Sequence, residues 1–211
     1  MSENEEITLA IESAIAGGSI SLLRGDVEIA NWVGTASVSK AEDLLFNIDL
    51  LLKENEIDRR QINSIAVSAG PGSFTGIRIG IATALGLKAG LGIMMSSQTA
   101  LKAMAFSAGV AGTVTAALPV GRDAICVQKF AVSGSEIRAL NEPFTVTEEN
   151  FITGVGEESS ATFLVHERLY EVLSAFPNVV NEGWNLAHSI GRLCRQARGV
   201  VVEPLFISKS F

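Results

Sequence analysis

Ser73 is the first residue to test for chemistry, because it sits in a glycine-rich turn within Ser68 to Gly80, SAGPGSFTGIRIG. A serine nucleophile needs a base within hydrogen-bond reach. The flanking GPGSFTG is not the GxSxG elbow, and the two histidines, His166 and His188, both lie in the second half, so peptidase chemistry is set aside. Those histidines fall on separate helices and read as ordinary helix residues, and no metal site is expected. Cys126 and Cys194 lack the density of a disulfide framework and the spacing of a zinc site, and read as two reduced, packed thiols. Glu12, followed by Gly17 and Gly18, is the carboxylate a phosphotransferase would need at its first hairpin. The stretch Ser13 to Ser19 brings no Lys or Arg, and a strand-end carboxylate at the surface is the favoured reading. Arg78 can hold a phosphate, pair with a partner carboxylate or extend to water, the last two being preferred.

The turn itself admits two readings. Gly70, Pro71 and Gly72 permit a sharp reversal, after which Ser73 or Thr75 can cap a helix. Free N–H groups at such a helix start would favour phosphate, whereas a tight strand-to-helix connection needs no ligand. The turn lacks the Lys and Ser/Thr of GxxxxGK[ST] and fails the GxGxxG spacing, so the second reading is preferred. In the helix that follows, Gly76, Gly80, Gly86 and Gly90 each cost about 1 kcal/mol relative to Ala in an interior position. They fall within an arc of about 120°, which leaves one side nearly flat. Ile81, Leu85 and Ala89 lie opposite, so apolar surface occupies both sides, as in a helix covered all round. A membrane span is excluded by length and by Arg78 and Lys88. The preceding helix, Lys40 to Asn55, carries Leu44, Leu45, Ile48, Leu51 and Leu52 at helical spacing, with Ser37 and Ser39 as caps, and adds Phe46 and Leu50 beside the stripe. Either the two helices cover each other or they meet another protein.

The elements that must position these residues alternate in two series. Ile7 to Ala14, Ser19 to Arg24 and Val27 to Trp32 are strands with turns at Gly17-Gly18 and Gly25-Asp26. The first long helix, strand Ile62 to Val67, the glycine helix Gly76 to Gly90, strand Ile93 to Met95 and a helix over Thr99 to Phe106 follow. Strands Thr113 to Leu118, Ala124 to Phe130, Ile137 to Val146 and Thr162 to Val165 open the second series. Helix His166 to Phe176, strand Val179-Val180 and helix Trp184 to Arg198 close it. The small, flexible Ser107 to Gly112 places a boundary between domains 1–108 and 109–211. With 211 residues and 47% hydrophobic, the chain can bury one good core or two small ones. Its formal net charge of −7 opposes direct binding to phosphate backbones. The acidic start MSENEEITLA is no secretory signal, and the expected location is the cytoplasm.

SAGPGSFTGIRIG followed by a glycine- and alanine-rich helix closely resembles the TsaB (YeaZ) family of tRNA threonylcarbamoyladenosine synthesis, and LAIESAIAGGSISLL, GRDAICVQKF and the tail EPLFIS are similar to it too. The chain departs from that family's pattern at Glu12, usually Asp, in SVSKAEDLL, which lacks a His, in PVGRDA, and in the Phe206-Ile207 ending. The resemblance implies an α/β protein of two actin-like (ASKHA, ribonuclease H-like) subdomains, each a mixed sheet flanked by helices. It implies a non-catalytic scaffold or activator that holds no cofactor, with ATP and a metal in partner subunits. The implied partners are a TsaD-type catalytic subunit and a TsaE-type ATPase, with tRNA met only through the complex, no membrane, and a homodimer when unpartnered. The TsaD-type subunit would dock on the first two helices, at Leu45, Phe46, Asp49, Leu52, Arg78, Ile81 and Leu85. Gly70, Pro71, Gly72, Ser73, Thr75, Gly76 and Gly80 would shape the loop and helix for packing. The alternative is a stand-alone ATP-binding phosphotransferase or ATPase of the same fold.

Overall fold

In the computed structural model, residues 6–35, 43–121, 123–158, 160–182 and 185–197 are described. The expected caps Ser37 and Ser39, the helix start at Trp184, Arg122 of PVGRDA and the EPLFIS tail lie outside them.

Three antiparallel strands open the first sheet: β1 (Ile7–Glu12), β2 (Ser19–Arg24) and β3 (Val27–Val33). The tight turns are where glycine was read: Gly17 and Gly18 sit at φ 89° and 66°, and Gly25-Asp26 joins Arg24 to Val27. Helix α1 (Leu44–Glu54) leads through a 3-10 turn, whose Asp58 and Gln61 form a capping box, to β4 (Ile62–Ser68). Helix α2 (Phe74–Leu91) then crosses to β5 (Met94–Gln98). Both β4 and β5 run parallel to β1, giving the order β3-β2-β1-β4-β5.

Register decides which side chains meet which helices. Leu9 and Ile11 face the same way as their cross-strand neighbours Leu22, Ile20, Ile65 and Val67, and with Leu44, Ile48, Leu51, Leu52 and Ala84 of α1 and α2 they form one buried cluster. The intervening Ala10 and Leu23 point to the opposite face. There α6 (Leu186–Gln196) packs so closely that a Cβ on Gly191 would sit 2.6 Å from Leu23 Cδ1.

The second sheet repeats the order. Strands β6 (Gly112–Pro119) and β7 (Ala124–Ser133) are antiparallel, while β10 (Thr162–Val165) and β11 (Val179–Asn181) run parallel to β6. The expected single strand Ile137 to Val146 is instead two, β8 (Glu136–Ala139) and β9 (Phe144–Thr147), paired to opposite ends of β7. Pro143 has no N–H for a ladder, and Asn141 bridges the gap: its Oδ1 accepts from Lys129 N (2.7 Å) and its carbonyl from Gln128 Nε2 (2.9 Å).

A helix that sequence reasoning missed, α4 (Glu148–Glu157), fills the link to β10. Its Gly154 and Gly156 weaken the local signal, but Thr147 caps it and Phe151 and Val155 anchor it on the sheet, with Phe151 edge-on to Phe163 at 5.9 Å. Helix α5 (Glu167–Leu173) completes that side through Leu169 and Leu173. Each sheet therefore has the actin-like, ribonuclease H-like arrangement, an antiparallel set followed by two parallel strands with helical cover, the third antiparallel strand being split into β8 and β9 in the second sheet.

By contacts the chain divides differently from the contiguous 1–108 and 109–211. One unit takes the described residues through Ala100 and those from Asn185 onward, so the last helix belongs to the first sheet. The other begins at Leu101, within α3 (Ala100–Ser107), and runs through Glu182.

Candidate functional site

The glycine-rich turn holds part of its own chain. Beyond β4, Gly70 O accepts from Ala100 N (2.7 Å), the Gly70–Pro71 peptide is cis, and Pro71 is buried. Ser73 caps α2 as read from the sequence, its Oγ accepting from Gly76 N at 3.3 Å, while Thr75 is exposed. The Ser73 N–H donates to Ala14 O at 2.6 Å, and Ser13 Oγ donates to Gly76 O at 2.9 Å. An added Cβ would lie 2.3 Å from Ala14 O at Gly72, 2.0 Å from Ser13 O at Gly76 and 2.2 Å from Ser13 Oγ at Gly80. These three glycines are a socket for the β1–β2 turn. Gly86 and Gly90 have nothing within 4 Å of such a Cβ, so the four helix glycines share an arc without sharing a role.

Glu12 is buried, which corrects the surface position expected for it. Its Oε1 accepts from Ala14 N (2.6 Å) and Ile15 N (3.0 Å), closing the turn that enters the socket. Burial pushes its pKa from 4.5 up to about 7, against the smaller opposing pull of those two N–H groups. Sequence reasoning missed Ser13 and Ala14 as partners of the glycine turn because no local pattern joins them to residues some sixty positions away.

The other chemistry-bearing residues are dispersed. His188 on α6 has Nδ1 3.6 Å from Glu28 Oε1, and that carboxylate already accepts from Ser21 Oγ, Asn185 Nδ2 and Asn31 Nδ2. His166 precedes α5 without capping it, and burial lowers its pKa, with Glu167 acting the other way. Cys126 and Cys194 are buried outside any disulfide, and burial pushes the Cys126 thiol up to about 12. Among the described residues no group of three His, Cys, Asp or Glu could hold a metal ion.

The first unit exposes several large apolar side chains on two of its helices. Helices α1 and α2 touch each other on one face of the sheet. On α1, Leu45, Phe46 and Leu50 remain exposed, Phe46 by 67%, and Asp49 is exposed and paired with Lys53. On α2, Phe74 and Leu85 are exposed, Phe74 by 56%, and the Arg78 guanidinium lies over the Phe74 ring at 4.6 Å. Ile81 is half-buried against the core. Leu52 does not belong to this surface: at 7% exposure it sits within the core cluster. Sequence reasoning also missed Phe74, the first residue of α2.

The same helix bears on the membrane question. At 18 residues α2 is long and apolar enough to cross a bilayer, which corrects the expectation based on length, although it carries Arg78 and Lys88. Its buried Gly76, Ile77, Gly80 and Ala84 seat it on the sheet, which makes its other side a candidate docking face.

The Escherichia coli (strain K12) tRNA threonylcarbamoyladenosine biosynthesis protein TsaB is 34% identical over 134 residues, 62% of this chain and 52% of that protein. The Haemophilus influenzae protein of the same name is 33% identical over 114 residues, 52% and 48% of the two chains. The match spans about half the length of these two relatives and no more than that of the other curated ones. YeaZ from Pseudomonas aeruginosa shares the fold, with a TM-score of 0.75 at 19% identity over 96% of this chain and 100% of that one. The family model described as "TsaD: tRNA N6-adenosine threonylcarbamoyltransferase" matches residues 35–177, and with these relatives it makes the chain a member of the TsaB (YeaZ) family of TsaD-like proteins.

Proposed function

We propose that this chain acts in tRNA threonylcarbamoyladenosine biosynthesis as a non-catalytic subunit that binds a TsaD-type transferase through α1 and α2. The observation that carries the reading is the exposed apolar surface of two adjacent helices, Leu45, Phe46 and Leu50 beside Phe74 and Leu85. Leaving such side chains in water forfeits the free energy of burying them, and rings such as Phe46 and Phe74 are the usual anchors of protein interfaces. The names of the relatives and the TsaD description of the family model support a partner of that kind. Activation of that partner, a TsaE-type ATPase in the assembly, tRNA met through the complex, and a cytoplasmic location belong to the same proposal.

The test is association of the purified chain with the TsaD-type transferase of the same source, by calorimetry and gel filtration, with ATP titrated in parallel. Wild type is expected to bind, and Phe46→Glu to weaken binding by about 30-fold or more, as for an anchor worth about 2 kcal/mol, with its circular dichroism unchanged. Tight ATP binding by the isolated chain together with no association would replace this reading with the phosphotransferase one.

A further inference from the structure

The residue immediately after the α2 cap is Phe74, so whatever fixes that cap also fixes one anchor of the docking surface. The cap is fixed by the turn that follows β1, the strand paired with β4. Ser73 N–H donates to Ala14 O (2.6 Å), Ser13 Oγ donates to Gly76 O (2.9 Å), and Gly72, Gly76 and Gly80 leave room for nothing larger than hydrogen against Ser13 and Ala14. The Ser13–Ala14 turn is neither helix nor strand and owes its shape to local bonds. Two are the N–H groups of Ala14 and Ile15 on Glu12 Oε1, and a third is Gly18 N–H on Ile15 O (3.1 Å). Glu12 is itself held by the end of β1, whose register with β2 pairs it to Ser19.

We propose that Glu12 is a positioning residue for partner docking: through the Ser13–Ala14 turn it sets the first turn of α2, and with it the placement of Phe74 and Arg78. This rests on the docking role proposed above. Removing the carboxylate strips two backbone N–H groups in a buried turn of their acceptor. The turn can then recover those bonds only by moving, and Ala14 O moves with it, away from Ser73 N. An amide in place of the carboxylate keeps an acceptor oxygen at the same reach, so shape and not charge is what the position requires.

Amide hydrogen exchange on the isolated chain, followed by a double-mutant cycle on docking, tests this. With Glu12→Ala, exchange at Ser73, Gly76 and Ile77 is expected to rise at least tenfold while Leu87 to Leu91 of the same helix stays at the wild-type rate, and Glu12→Gln is expected to behave as wild type. A uniform rise along α2, or none, overturns the proposal whatever the partner does. On binding to the TsaD-type transferase, Glu12→Ala is expected to weaken affinity about tenfold and Phe74→Ala about thirtyfold, with the double variant no weaker than Phe74→Ala alone to within a factor of three. A product of the two losses overturns the proposal and leaves the docking reading standing. Wild type that binds nothing overturns the docking reading, and the exchange pattern then still decides whether Glu12 sets α2.

Discussion

Four alanine substitutions along α2 separate a socket from a merely flat helix face. In an exposed helix interior, Gly→Ala gains about 1 kcal/mol. Gly86 has open space around its would-be Cβ, so Gly86→Ala should gain about that amount, and Gly90→Ala, one residue from the helix end, somewhat less. At Gly76 the Cβ would lie 2.0 Å from a backbone oxygen that cannot rotate away, Ser13 O. Overpacking of that kind costs about 1–3 kcal/mol or more, and a net loss of about 2 kcal/mol is expected after the helix gain. At Gly80 the obstacle is the Ser13 hydroxyl, 2.2 Å away, which can yield only by giving up its bond to Gly76 O; a net loss of about 1 kcal/mol follows. The sharpest reading comes from Gly80→Ala in a Ser13→Ala background. There the nearest remaining Ser13 atom is Cβ at 3.5 Å, an ordinary contact, and the substitution should turn neutral or stabilising. Urea denaturation followed by circular dichroism gives all five differences. If Gly76→Ala and Gly86→Ala change stability in the same direction, or if Ser13→Ala leaves the cost of Gly80→Ala untouched, the socket does not exist as described.

Two further outcomes follow from burial. Glu12 carries a carboxyl whose folded pKa, about 7, lies above its ordinary 4.5, so between those values the folded chain holds a proton that the unfolded chain has released. Stability should therefore fall as pH rises from about 4.5 to about 7, by a total on the order of 3 kcal/mol, and level off above. Glu12→Gln should remove that component, and the difference between the two denaturation profiles isolates it from Glu182, whose burial acts in the same direction, and from His166, which acts in the opposite one. Parallel profiles would refute it. Leu52→Ala should cost about 2–5 kcal/mol as a core truncation, while Phe46→Ala, on an exposed position, should stay within about 0.5 kcal/mol; thermal melts showing the reverse order would put Leu52 on the surface and Phe46 in the core.

Most strands, and the turns of the first sheet, were legible because their signals are local: short continuous apolar runs, glycines at the hairpins, and an apolar stripe on α1. Leu52 shows where that stops. It stands seven residues from Leu45, so the two differ by only about 20° around α1 and no helical wheel separates them. What separates them is distance along the axis: the chain folds back at the last turn, where Ile57 N–H donates to Leu52 O and Ile57 packs against the core cluster, whereas in the first turn Leu44 is covered and Leu45 is left exposed. The break between β8 and β9 could have been suspected from Pro143, whereas α4 was hidden by its own glycines. The socket was illegible for a different reason. Its two sides lie some sixty residues apart, and a glycine gives the same sequence signal whether a backbone, a ligand or nothing fills the space beside it.

That ambiguity is what made the first hairpin and the glycine turn look like phosphate sites, and the geometry bears on it directly. A phosphate clamped in an actin-like unit would need backbone N–H groups at the β1–β2 turn and at the start of α2. At the turn, the N–H groups of Ala14 and Ile15 already donate to a carboxylate of the same chain. At the helix, Ser73 N–H is taken by Ala14 O and Gly76 N–H by the Ser73 hydroxyl. An anion that used these four groups would have to displace Glu12 or break the socket that seats α2. These four donors are fastenings of the turn and of the helix it seats, and the side of that helix turned away from them is the one that carries Phe74 and Leu85 outward.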